Sequence, residues 1–180
     1  TFEDAQSITS IRIRSSVLGR NIGIYDPNTQ AYTEAGFQGA TFTLPLLETL
    51  EIISTNKLLR GAFFNTGGAP NLKTLLSPSS GWGLDLASGA PIPSFGANPN
   101  LEEVDLSGNN FSGNIILTGA NKLKKFYLNN NILDGVDLTN FSNLNNLEYF
   151  IVSNNQMSGQ IPNFSIGAPN IQYINFANNL

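Results

Sequence analysis

LEEVDLSGNNFSG (101–113), LKKFYLNNNILDG (123–135), LEYFIVSNNQMSG (147–159) and IQYINFANNL (171–180) share one pattern. It is L-x-x-L-x-L-x-x-N-x-L, with Val, Phe, Ile or Met allowed at the Leu places. The copies start at Leu101, Leu123, Leu147 and Ile171, in steps of 22, 24 and 24 residues. A fixed period of this length marks a stack of structural repeats. Positions 4 and 6 of a copy are two apart, so they face one side of an extended strand; positions 3, 5 and 7 face the other. Strands that recur once per period pair in parallel, because a long crossover separates them. No copy encloses its own apolar face, so each depends on its neighbours.

Asn109, Asn131, Asn155 and Asn179 fill position 9 of the four copies. A polar side chain placed so regularly among apolar ones needs buried partners. A carboxamide carries both donors and an acceptor, which suits the backbone of a chain turning out of a strand. The expectation is an Asn ladder running through the stack.

LSGNNFSG (106–113) and VSNNQMSGQIP (152–162) resemble the leucine-rich repeat family. The likeness is closest to its subclass with LxxLxLSxNxLSGxIP repeats, known from plant receptor ectodomains. Similar repeats occur in bacterial surface proteins and phage virion proteins. The resemblance implies a leucine-rich repeat solenoid, an α/β-class horseshoe. Its concave side would be a parallel β-sheet and its convex side irregular or 3-10. It also implies recognition without catalysis.

Working towards the N-terminus, Leu72-Lys73-Thr74-Leu75 and Leu47 to Ile52 fit the strand pattern, as do Ile8, Ile11 and Ile13. Ala69-Pro70-Asn71, Asn98-Pro99-Asn100 and Ala168-Pro169-Asn170 recur as lead-ins to a strand. The Leu72 copy loses the pattern at Ser77 and Ser80, and the step to Leu101 lengthens to 29 residues. SPSSGWGLDLASGAP (77–91) therefore reads as a bulged loop that contains Trp82. Two β-prone runs, Ile22–Tyr25 and Gln30–Thr33, flank Asp26-Pro27-Asn28-Thr29, a turn signal. A hairpin insertion near 22–33 is expected. The chain reads as one solenoid segment, 1–180, uncapped at both ends and part of a larger protein or assembly.

Charged residues make up 12% of the chain and the net charge is −4. The one lysine cluster is Lys122, Lys124 and Lys125, which disfavours nucleic acid as a partner. No apolar run approaches a membrane span. Cysteine and histidine are both absent. That removes disulfides, thiol nucleophiles, imidazole bases and the usual zinc sites. The remaining carboxylates, Ser, Tyr and Lys form no recognisable catalytic set. No enzyme activity, cofactor or metal is expected.

Ligand contacts on such a sheet belong to its outward positions. Position 3 carries Ser10, Thr49, Thr74, Glu103, Lys125, Tyr149 and Tyr173; position 5 carries Arg12, Glu51, Leu76, Asp105, Tyr127, Ile151 and Asn175. Lys125, Tyr127, Tyr149, Ile151 and Tyr173 form the candidate ligand-binding patch. Amphipathic aromatic residues of this kind suit a protein or glycan partner on a cell surface. Glu102 and Glu103 fall beside Lys124 and Lys125 as cross-strand charge pairs. Asn110, Asn140 and Asn163 each open an N-F-S sequon, a candidate glycosylation site. Two functions fit. One is a recognition module of an extracellular or surface-exposed adhesin. The other is a structural repeat segment of an extracellular or virion assembly, such as a phage tail or fibre, packed against flanking subunits.

Overall fold

The computed structural model describes residues 8–15, 25–26, 31–32, 43–54, 66–84, 86–136, 143–161 and 163–180. In chain order its strands are β1 (Ser10–Ser15), β2 (Tyr25–Asp26), β3 (Ala31–Tyr32), β4 (Thr49–Ser54), β5 (Thr74–Leu76) and β6 (Ala90–Pro91). They continue as β7 (Glu103–Asp105), β8 (Phe111–Ile115), β9 (Lys125–Tyr127), β10 (Ile132–Val136), β11 (Tyr149–Ile151) and β12 (Tyr173–Asn175). A 3-10 turn lies at Thr66–Gly68, and one helical turn, α1, at Phe164–Gly167.

Seven of these strands make a single sheet in the order β1-β4-β5-β7-β9-β11-β12, and every neighbouring pair is parallel. Position 3 of each copy pairs with position 3 of the next: Thr49 with Thr74, Glu103 with Lys125, Tyr149 with Tyr173. The register follows from the apolar pattern, because a slip of one residue would turn every inward side chain outward. Leu101, Val104 and Leu106 are fully buried, and so are Leu123, Phe126 and Leu128 of the next copy. Burying one such side chain contributes about 1.5–3 kcal/mol. Phe95, Phe126 and Phe150 make an aromatic spine, with ring centroids 5.5 and 5.7 Å apart, which Phe164 and Phe176 extend. Each copy enters its strand through the same tight turn: Leu101 N–H donates to the Asn98 carbonyl, Leu123 to Ala120, Leu147 to Leu144.

The return side is more ordered than an irregular or 3-10 path. Besides the 3-10 turn, it holds a second parallel sheet in the order β10-β8-β6. In β8 and β10 the chain stays extended soon after position 9, with Phe111 and Ile115 buried at the two ends of β8, whereas β6 comes after a longer run of turns. Consecutive turns then lie close enough to pair. A register shift between Leu133 and Gly135 marks a bulge in β10.

Strands β2 and β3 pair antiparallel, Tyr25 with Tyr32 and Asp26 with Ala31. This is the described part of the expected hairpin; Ile22, Gly23, Ile24, Gln30 and Thr33 lie outside the described residues. Asp26, expected in the turn, belongs to the strand.

The bulged-loop reading of Trp82 is corrected. Trp82 occupies position 11 of the Leu72 copy, beside Ser77 at position 6 and Ser80 at position 9, and it is fully buried. A large side chain at position 11 accompanies a small one at position 6. The indole Nε1–H donates to Ser77 Oγ at 2.8 Å, and Ser77 Oγ in turn donates to the Ile52 carbonyl. The copy therefore keeps the repeat register through Trp82, and the excursion begins after it.

Candidate recognition face

Position 9 anchors the scaffold. Asn131 Oδ1 accepts from Phe111 N–H at 2.9 Å, and its Nδ2 donates to the carbonyls of Leu106 (3.1 Å) and Leu128 (3.0 Å). Asn155 repeats the set with Leu133, Leu128 and Val152. Asn109 Oδ1 accepts from the N–H groups of Ser80, Gly81 and Trp82. Asn109, Asn131 and Asn155 are buried; Asn179, in the last copy, is half-buried and joins Met157 N–H to the Val152 and Phe176 carbonyls. Each amide ties its own turn to the turn before it.

Two further columns were not read from the sequence. Asn71, Asn100, Asn146 and Asn170 stand just before position 1, and each donates to a carbonyl of the preceding turn: Pro45, Pro70, Asn121 and Asn145. The signal was present in the recurring Pro-Asn lead-ins. Position 8 is left-handed in five copies: Ser79 (φ 48°), Gly108 (68°), Asn130 (58°), Asn154 (56°) and Asn178 (58°). Asn and Gly tolerate this region better than other residues do. In Asn130-Asn131, Asn154-Asn155 and Asn178-Asn179 the first Asn therefore makes the bend and the second fills the ladder.

Just before the strands, position 2 carries a rail of alternating charge: Glu48, Lys73, Glu102, Lys124 and Glu148. Lys73 Nζ meets Glu48 Oε1 at 2.8 Å and Lys124 Nζ meets Glu102 Oε2 at 2.7 Å. The hydrogen bond from Lys124 holds the Glu102 carboxyl below its ordinary pKa, and Glu102 holds Lys124 above its own. Lys125 sits 3.7 Å from Glu103 in the neighbouring column.

The candidate patch occupies two columns of this face. Lys125, Tyr149 and Tyr173 are register partners at position 3, as are Tyr127, Ile151 and Asn175 at position 5. The strands lie about 4.8 Å apart, so the five side chains are contiguous. Lys125, Tyr127, Tyr149 and Ile151 are half-buried, and Tyr173 is 49% exposed. Tyr149 Oη lies 3.4 Å from Gln172 Oε1. Burial holds the Tyr127 phenol above its usual pKa, and the negative charges of Glu103 and Asp105 act in the same direction. Glu51 departs from the expectation of an exposed position 5: it is buried, 3.4 Å from Arg12 Nε.

Of the three sequons, Asn140 lies outside the described residues. Asn110 is half-buried and its Nδ2 donates to the Gly83 carbonyl at 2.9 Å. Asn163 is exposed, and Ser165 Oγ donates to its Oδ1 at 2.6 Å. Among the described residues no group of three acidic side chains is placed to hold a metal ion. No helix among them is long and apolar enough to cross a membrane.

The Leucine Rich Repeat family pattern matches residues 100–121 and 122–144, the copies that begin at Leu101 and Leu123. The crystal structure of a TDR receptor is similar over 76% of this chain, with a TM-score of 0.58 and 28% identity. The fold is a leucine-rich repeat solenoid. Both likenesses support a leucine-rich repeat family. This chain spans 23% of the receptor chain that it resembles. No curated protein matches it. In leucine-rich repeat terms, the patch lies on the sheet side of the solenoid, over the best-formed copies.

Proposed function

We propose that the chain is a non-catalytic, protein-binding recognition module that works through the outward face of its long sheet. The observation that carries this reading is the contiguous patch of Tyr127, Tyr149, Ile151 and Tyr173 on parallel strands. Its backbone is tied down after the strands by the Asn ladder and before β11 and β12 by Asn146 and Asn170, so little ordering entropy is lost on binding. Tyrosine and aliphatic side chains in such a patch match the composition of interface centres. The similarity to a receptor structure supports the same reading. We place the module outside the cell, as part of an adhesin or receptor-like surface protein, from its likeness to the LxxLxLSxNxLSGxIP subclass.

The test is a binding assay against intact cells with the Y149A/Y173A double variant. Binding should weaken by about 2 kcal/mol or more if the two tyrosines are hot spots. Circular dichroism should be unchanged, because both side chains point away from the core. Undiminished binding by the folded double variant would reject the patch. It would favour instead a structural segment of an extracellular or virion assembly.

A further inference from the structure

The proposed face has a charge that its own residues do not balance. Along position 5, Asp105 stands between Leu76 and Tyr127 as their register partner. Its Oδ1 accepts from Ser107 N–H at 3.0 Å and from Ser107 Oγ at 2.6 Å. No cationic side chain among the described residues pairs with it; Lys125, the nearest lysine of the patch, sits on Glu103 instead. The result is a half-buried carboxylate with an aliphatic side chain on one side and a tyrosine on the other. Glu102 and Glu103, just before it, are taken up by Lys124 and Lys125, so Asp105 is the carboxylate of this part of the face left without a cation among the described residues.

We infer that the face between Asp105 and Tyr149 receives a cationic side chain, an Arg or Lys, from the protein partner. The inference rests on the recognition reading above and names the chemistry of what is recognised. A guanidinium is the better fit. It can pair with the carboxylate through N–H donors while its flat face lies on Tyr127. A cationic partner also gains from long-range attraction to a chain of net charge −4 during encounter.

Asp105 can be neutralised without disturbing the turn it caps. The chain already carries the neutral version in its last copy. Asn175, also at position 5, accepts from Ala177 N–H at 2.9 Å through Oδ1, as Asp105 does from Ser107. D105N therefore removes the charge and keeps the acceptor.

The probe is a display library of random peptides, panned against the folded chain. The selected peptides are then measured on D105N and on Y149A/Y173A. Emission of Trp82, the single, buried tryptophan, reports folding of each variant. Selected peptides should carry Arg or Lys at a fixed place. They should bind D105N about tenfold more weakly, and raising the salt should weaken the wild type more than D105N. Selected peptides without a cationic preference, or equal affinity for D105N, would overturn the inference and leave the recognition face standing. Peptides indifferent to both variants, or no selected peptide at all, would remove the face and the inference together.

Discussion

Asn131 shows what one side chain contributes to this scaffold. Its carboxamide serves one N–H and two carbonyls in two successive turns, all of them buried. N131A leaves the buried Phe111 N–H without its acceptor and takes from the Leu106 and Leu128 carbonyls one of their two amide donors, so it should lower unfolding free energy by roughly 1–3 kcal/mol. Urea denaturation followed by Trp82 emission measures it. N179A should cost less, since Asn179 is only half-buried. The place of these residues was legible from spacing alone, because an amide held strictly inside an apolar pattern has buried backbone groups to serve. Trp82 was not legible. Ser77 breaks the apolar pattern at position 6, and only the folded chain shows that a side chain five residues later fills the space.

At the scale of the element, each strand is set by the bend that follows it. Position 8 is left-handed in every copy where it is described from Ser79 onward. N130G should be close to neutral, whereas N130V should destabilise by about 1–2 kcal/mol, since a β-branched residue is strained there. Gly108 is constrained twice. A Cβ at that place would also meet Ser79 Oγ, so G108A should destabilise too; thermal melts of the three variants check this. The alternating rail makes a different prediction. The Glu102 carboxyl is held below its ordinary pKa, so its contribution is present above the unfolded carboxylate range. That contribution is lost as pH falls through the lowered value. Because both partners are exposed, the amplitude is small. E102Q should flatten the acid limb of the stability profile, and high salt should shrink the difference from wild type. The pairs at 102–125 were legible once the register was known. The alternation from Glu48 to Glu148 emerged only when all seven strands were aligned.

At the scale of the molecule, the seven-stranded order followed from the repeat starts, because parallel stacking is the one arrangement that buries every copy's inward face. The second sheet did not follow. The return segments differ in length and composition, so no common period announces that β6, β8 and β10 pair. The patch was legible as two columns, but the buried state of Glu51 was not, since burial there depends on more than strand parity. The ladder amides and the strand bonds share one property: they join consecutive turns and run along the stacking direction. Tension applied between the two ends would therefore load these bonds nearly in series. A pulled chain should peel turn by turn at low force, as a zipper opens, rather than yield in one rupture. Consecutive starts at Leu123 and Leu147 are 24 residues apart. Each released turn should then lengthen the tether by roughly 80 Å, at about 3.4 Å per extended residue. Single-molecule pulling would show a ladder of small steps of that size; one large event would mean that the turns are mechanically fused.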